Sequence, residues 1–163
     1  MKNLVFGTNN TFSPLALRLL LSIVIFPHGA QKLLGWFGGF GFQASMNYFT
    51  ESVGLPWVVG FLVIIIEFFG PIFLLLGLAT RIWSLGILAV MTGIILTTFN
   101  EFFFMNWFGN QGKEGFEFFL LAIGMSLSLI ISGAGKFSID ALLDKQATPH
   151  QGQASYSLTS ARA

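Results

Sequence analysis

The chain contains no cysteine. Disulfides, thiolate metal sites, iron–sulfur clusters and thiol catalysis are therefore excluded, and any redox chemistry must use a bound cofactor or take place in a partner. Charge is also scarce. Only 9% of the 163 residues are Asp, Glu, Lys or Arg, against about a quarter in soluble domains. So few charges cannot coat a water-soluble surface of this size. Histidine occurs only at His28 and His150. The second stands in a polar tail, so neither bis-His haem ligation nor a metal site within a bilayer is expected. The formal net charge is +1, without a basic arm, and no nucleic-acid partner is expected. The first apolar run is preceded by a single lysine, Lys2, and no A-x-A cleavage site follows it. We read it as a retained first helix rather than a signal peptide.

What is present is apolar: 54% of the residues are hydrophobic. The sequence predicts an all-α integral membrane protein, a bundle of four transmembrane helices at about 14–34, 56–78, 82–104 and 116–132. Each run is near the roughly 20 residues needed to cross about 30 Å of hydrocarbon, and in lipid such runs must satisfy their backbone amides internally. Ser13-Pro14 and Leu55-Pro56 read as helix starts, and Gly77 to Arg81 as a tight hairpin. Pro71 interrupts the second helix and frees a backbone carbonyl near Glu67. Between the first two spans, Phe42, Met46, Phe49 and Val53 fall on one face of a short amphipathic helix on or in the membrane surface. Ser138 is placed to cap a final short helix, SIDALLDK. One membrane domain is expected over about residues 1–145, followed by a disordered polar tail over about 146–163.

Four crossings put both termini on one side. Lys2, Arg18, Arg81, Lys136, Lys145 and Arg162 then lie at that face, against Lys32 and Lys113 at the other. This asymmetry predicts cytoplasmic termini. Trp36, Trp57 and Trp107 fall at the outer interface as an aromatic belt or pocket wall. Gly86, Ala89, Gly93 and Thr97 share one face of the third helix, and Gly124, Ser128 and Ser132 one face of the fourth. Such faces let helices approach closely, within the bundle or in a homo-oligomer.

The informative residues are the ionisable ones inside apolar runs. Arg18, His28 and Lys32 project within about 80° of one another on the first helix. Glu67 sits mid-span in VIIIEFFGP, where a charge costs about 2.5–3.5 kcal/mol on insertion scales. By helical rise, Arg18 lies about 10 Å to its inner side and His28 about 5 Å to its outer side. Glu101 and Glu117, at the facing ends of the third and fourth helices, complete a candidate outer cluster with His28, Lys32 and Lys113. These six, Arg18, His28, Lys32, Glu67, Glu101 and Glu117, are the candidates for ligand binding or proton relay; no catalytic residue is assigned. Each also has a purely structural reading. Lys32 and Arg18 can snorkel, Glu67 can pair with Arg18 or stay neutral, and His28 can make an interhelical hydrogen bond.

Four segments, RLLLSIVIFPHGAQKLLG, GLPWVVGFLVIIIEFFGPIFLLLGLATR, FFMNWFGNQGKEGFEFFLL and GAGKFSIDAL, give a resemblance. From about Leu15 to Leu143 the chain resembles the DoxX family of small four-helix bacterial membrane proteins. Arg18, His28, Gly29, Lys32, Glu67, Gly70, Gly77, Arg81, Glu117 and Asp140 match that family's recurrent positions. The chain departs where relatives often carry a histidine near Thr98 or Phe99 and Tyr-His after the fourth-helix glutamate, here Phe118-Phe119. The resemblance implies a bacterial inner-membrane location and an association with quinone-linked or thiol-stress redox complexes. It is expected to bind quinone and to have other membrane or redox subunits as partners. Two alternatives stand beside this expectation: a non-catalytic scaffold subunit, and an oligomeric transporter of a small solute or proton.

Overall fold

The computed structural model describes residues 5–9, 11–98 and 101–147. Of the tail expected over 146–163, the first two residues belong to the last helix, and residues 148–163, with His150 and Arg162, lie outside the described residues, as does Lys2. The architecture is all-helical among the described residues. The helices are α1 (Ser13–Leu34), α2 (Gly41–Asn47), α3 (Trp57–Leu76), α4 (Thr80–Thr97), α5 (Glu117–Ser132) and α6 (Ile139–Ala147). By length and composition α1, α3 and α4 can each cross a membrane. The apolar helix α5 has 16 residues, about 24 Å of rise. The four long helices close a ring in which α1 packs on α3 and α5, and α4 packs on α3 and α5.

Punctuation residues set the boundaries. α1 carries Pro14 in its first turn and stops at Gly35, whose φ of 74° is left-handed. α3 stops at Gly77, with φ of 63°, and its last turn is closed by Gly77 N–H to Leu74 O at 3.0 Å and Leu78 N–H to Phe73 O at 2.9 Å. α4 ends at Thr97, earlier than the expected residue 104. Two β-branched threonines, Thr97 and Thr98, end the run, and the chain beyond serves another helix. The carbonyls of Phe102 and Phe103 accept the N–H groups of Phe116 and Glu117, at 3.0 and 2.9 Å, at the start of α5. Gly115 permits that crossing, because a Cβ there would collide with the Phe104 carbonyl.

The link between α1 and α3 is a wall of the bundle. α2 runs on into a π-helical turn, Tyr48–Ser52. Met46 and Phe49 are buried against Ile64 of α3, flanked by Phe42 and Val53, so all four residues of the expected apolar face are used. Gly60 makes room for the Phe49 ring, since a Cβ there would lie 3.0 Å from that side chain. Gly29 of α1 touches the backbone of Glu67, whereas α1 ends only five residues later and α3 continues ten residues beyond. α1 is thus about 7 Å shorter at this end, and the α2 segment fills the space.

The opposite end, where α1 begins, is tied by the segment after α5. Thr11 O accepts Lys136 N–H at 3.1 Å, and Gly77 O accepts Asp140 N–H at 2.9 Å. The Asp140 carboxylate accepts Ala79 N–H at 2.7 Å and Thr80 N–H at 2.9 Å, capping α4. Ser138 Oγ accepts Ala141 N–H at 3.1 Å and caps α6 as the sequence suggested. This end, which holds both chain-terminal segments, is called the terminal end below, and the other the distal end.

Candidate functional site

A proline and a glycine bring the polar residues of α1 and α3 together. Pro71 has no N–H, so the Glu67 carbonyl four residues earlier loses its intrahelical donor. That carbonyl faces Gly29, where a Cβ would overlap it. The two backbones therefore touch at Gly29 and Glu67, which places Lys32, one turn further along α1, beside the Glu67 side chain. Lys32 Nζ lies 2.5 Å from Glu67 Oε2. The Glu67 side chain is 2% exposed and that of Lys32 25%. Oε2 makes no aligned hydrogen bond, so the contact is chiefly Coulombic. Lys32 turns toward the acid rather than snorkelling away from it.

This pair forms the polar end of a cavity of about 600 Å³ in the distal half of the bundle. His28 also opens onto it, its ring 6.0 Å from that of Phe118. The rest of the wall is mostly apolar: Ile25 of α1, Val63 and Ile66 of α3, Ile94 of α4, and Phe118 and Phe119 of α5. Tyr48, Phe49, Val53 and Leu55, from the α2 segment and the link after it, close the distal end. Toward the terminal end the cavity stops on the packed side chains of Leu21, Ile87, Met91 and Leu129, each at most 2% exposed. It is a blind pocket, not a through-path.

The other candidates are placed elsewhere. Arg18 is fully buried, but 49 positions before Glu67 in the chain and at the terminal end of the bundle. Its four terminal N–H groups serve carbonyls: Leu74 at 3.2 Å, Leu75 at 2.9 Å, Lys136 at 2.9 Å and Phe137 at 2.5 Å. It closes the end of α3 and fastens the 136–137 strap, and the expected Arg18–Glu67 pair is replaced by Lys32–Glu67. Glu101 pairs with Lys113 at 2.6 Å, both half-exposed. Glu117 accepts Met105 N–H at 3.0 Å and Trp107 Nε1–H at 3.2 Å, ordering the α4–α5 loop. The expected outer cluster is therefore divided: His28 and Lys32 line the pocket, while Glu101, Glu117 and Lys113 do not. Trp36, Trp57 and Trp107 are all exposed on the bundle surface, at 55%, 56% and 77%, and none lines the pocket.

Two lining residues were missed by sequence reading. Glu114 is an exposed lining residue from the α4–α5 loop, its Oε2 accepting Asn106 N–H at 2.8 Å. In the sequence it reads as one of several loop charges. Tyr48 reaches the rim from the π-helical turn, and a π turn leaves no sequence signal comparable to a cap, though such turns gather at functional sites. The small residues of α4 also divide. Gly86 packs against Ile66 of α3, with room for a Cβ only at 3.2 Å, while Ala89, Gly93 and Thr97 line the pocket. Gly124 of α5 has open space around it. Among the described residues no group of three or more His, Cys, Asp or Glu side chains is placed to hold a metal ion.

The DoxX family model matches residues 13–100, the stretch holding α1 to α4 and three walls of the pocket. The chain is 31% identical over 131 residues to CatD of Bacillus subtilis, whose name calls it a candidate oxidoreductase. That match covers 80% of this chain and 87% of CatD. It is 33% identical over 134 residues to the inner membrane protein YqjF of Escherichia coli, covering 81% of this chain and 92% of that protein. No solved structure matches the chain.

Proposed function

Because this chain belongs to the DoxX family, we propose that it is a redox-associated membrane subunit whose blind pocket binds a quinone or a comparable small ring-shaped ligand. The observation that carries this reading is the Lys32–Glu67 pair at the inner end of an apolar cavity of about 600 Å³. Apolar walls with a few convergent polar groups are the usual form of a small-molecule site. Two electrons and two protons convert a quinone to its quinol. Lys32 and His28 are positioned to donate to a ring oxygen, and Glu67 to hold and pass a proton. Glu114, exposed and also lining the pocket, offers an exchange point with water. The electrons come from a redox cofactor in a partner subunit, since the chain has no cysteine to hold an iron–sulfur cluster or act as a thiol couple. The name of CatD supports the redox association. That of YqjF supports an inner-membrane location, where the charge asymmetry favours cytoplasmic termini and a distal end facing outward.

Two other readings are weighed by the same geometry. Arg18 and Asp140 spend their hydrogen bonds on backbone groups, which favours a scaffold role for the terminal half but leaves the pocket without a purpose. A transporter or channel needs a through-path, which the packed residues below Glu67 oppose; transport would require an oligomer. Gly124 leaves a small-residue face open for such self-association. Gentle purification of the wild-type protein is expected to retain quinone, detectable after solvent extraction, and His28→Ala to lose it. A well-folded wild-type protein that holds no quinone and binds no analogue would sink the proposal.

A further inference from the structure

α3 and α4 form a hairpin that is closed near its turn and open beyond it. At the closed part Phe73 stacks on Trp83 with centroids 4.8 Å apart, Gly70 lies against Trp83, and Gly86 lies against Ile66. A Cβ built at Gly93 would meet nothing within 4 Å. On the facing helix Val59 and Leu62 are 42% and 47% exposed, yet both line the pocket. Ala89 and Thr97 of α4 are also exposed and lining. Residues that belong at once to the outer surface of the bundle and to the cavity wall mark an opening. This one lies on the side of the bundle, within the span of two membrane-crossing helices. Its lips are mostly apolar, Val59, Leu62 and Ala89, and the Thr97 hydroxyl is held by Gly93 O at 2.8 Å and lies 3.2 Å from that of Thr98.

We propose that the pocket is filled sideways from the bilayer through this α3–α4 portal, by an amphiphile with an oxygen-bearing ring at Lys32 and Glu67 and an apolar tail lying between α3 and α4. The proposal rests on the pocket reading above and narrows it to tailed ligands of the quinone class. A hydrated solute entering by this route would have to shed its water against Val59, Leu62 and Ala89, with only the already paired Thr97 and Thr98 hydroxyls to offset the cost. A tailed ring is already dissolved in the hydrocarbon, and its chain leaves the cavity through the slot that lacks a side chain at Gly93. The α2 segment then acts as a fixed cover over the distal end of the pocket.

The test uses the full chain in nanodiscs of a single phospholipid, with two probes: a benzoquinone bearing two isoprene units, and the same ring without a tail. Binding is expressed per mole of probe in the bilayer, so that partitioning is removed. The wild type is expected to prefer the tailed probe by about tenfold or more, about 1.4 kcal/mol. Gly93→Phe, which fills the space proposed for the tail, is expected to erase that preference, so that the two probes bind equally. Should Gly93→Phe fail to fold, Leu62→Trp on the facing lip is expected to give the same loss. Equal binding of both probes by the wild type, or a tail preference that survives the plug, overturns the portal and leaves the pocket standing. A phospholipid acyl chain that the tailed probe cannot displace overturns the ligand class. If neither probe binds the wild type, the pocket reading itself fails, and the portal with it.

Discussion

The two halves of the bundle treat buried polarity in opposite ways. In the terminal half, Arg18 is fully buried and commits all four of its terminal N–H groups to carbonyls of α3 and the 136–137 strap. Asp140 is 1% exposed and commits both oxygens to the first N–H groups of α4. In the distal half, Lys32 and Glu67 meet in a single ion contact beside an open cavity, with His28 facing the same space. A charge in the membrane must be compensated in either case. Where the backbone supplies a partner for every terminal N–H of the guanidinium, only Nε being left without one, the result is a joint. Where capacity is left over next to empty apolar space, the result is a place for something else to bind.

Substitutions can break or sharpen this contrast. The largest effect is expected for Arg18→Met. It takes a donor from four carbonyls, of which Leu74 keeps the Gly77 N–H, and unfastens the strap, at about 3–5 kcal/mol. In detergent this should appear as a melting temperature about 10 °C lower, or as loss of a cooperative transition. Gly29→Ala is next, because the new methyl meets the Glu67 backbone rather than a side chain that can move. About 1–3 kcal/mol is expected, read as a lower denaturation midpoint together with loss of pocket binding. Asp140→Asn keeps one acceptor and should cost about 1 kcal/mol, seen as faster hydrogen exchange at Ala79 and Thr80 with ligand binding intact. The smallest stability change is expected for the double replacement Lys32→Met with Glu67→Gln. It removes both charges together and should stay within about 1 kcal/mol of the wild type, yet abolish quinone binding. A double variant that melts as early as Arg18→Met would erase the distinction between the two halves.

Much of this was legible from residue order. The three longest helices and the α2 face follow from apolar runs and spacing, which report burial directly. The Ser138 cap and the Gly77 stop follow from local backbone chemistry. The early end of α4 was not legible, because Phe102 and Phe103 are as apolar as a span and leave the helix only to pair with the start of α5. The pairing of charges was less legible still. Helical projection places Arg18, His28 and Lys32 on one stripe but does not say which carbonyls or acids face it, so Arg18 appeared as likely a partner of Glu67 as any. Glu114 and Glu117 stand three residues apart, and only the path of the loop puts the first at the pocket and the second under Trp107.

The sequence by itself determined that this protein lives in a membrane, as helices, with charges that must find company inside the bundle. Composition and period report solvent preference, and solvent preference is a property of residues. Only the tertiary structure decided which charges meet, where α3 and α4 part, and that the space between them ends blindly below Glu67. Those outcomes depend on distances between segments far apart in the chain. Here they are set by one close approach at Gly29 and by a side chain that Gly93 does not have.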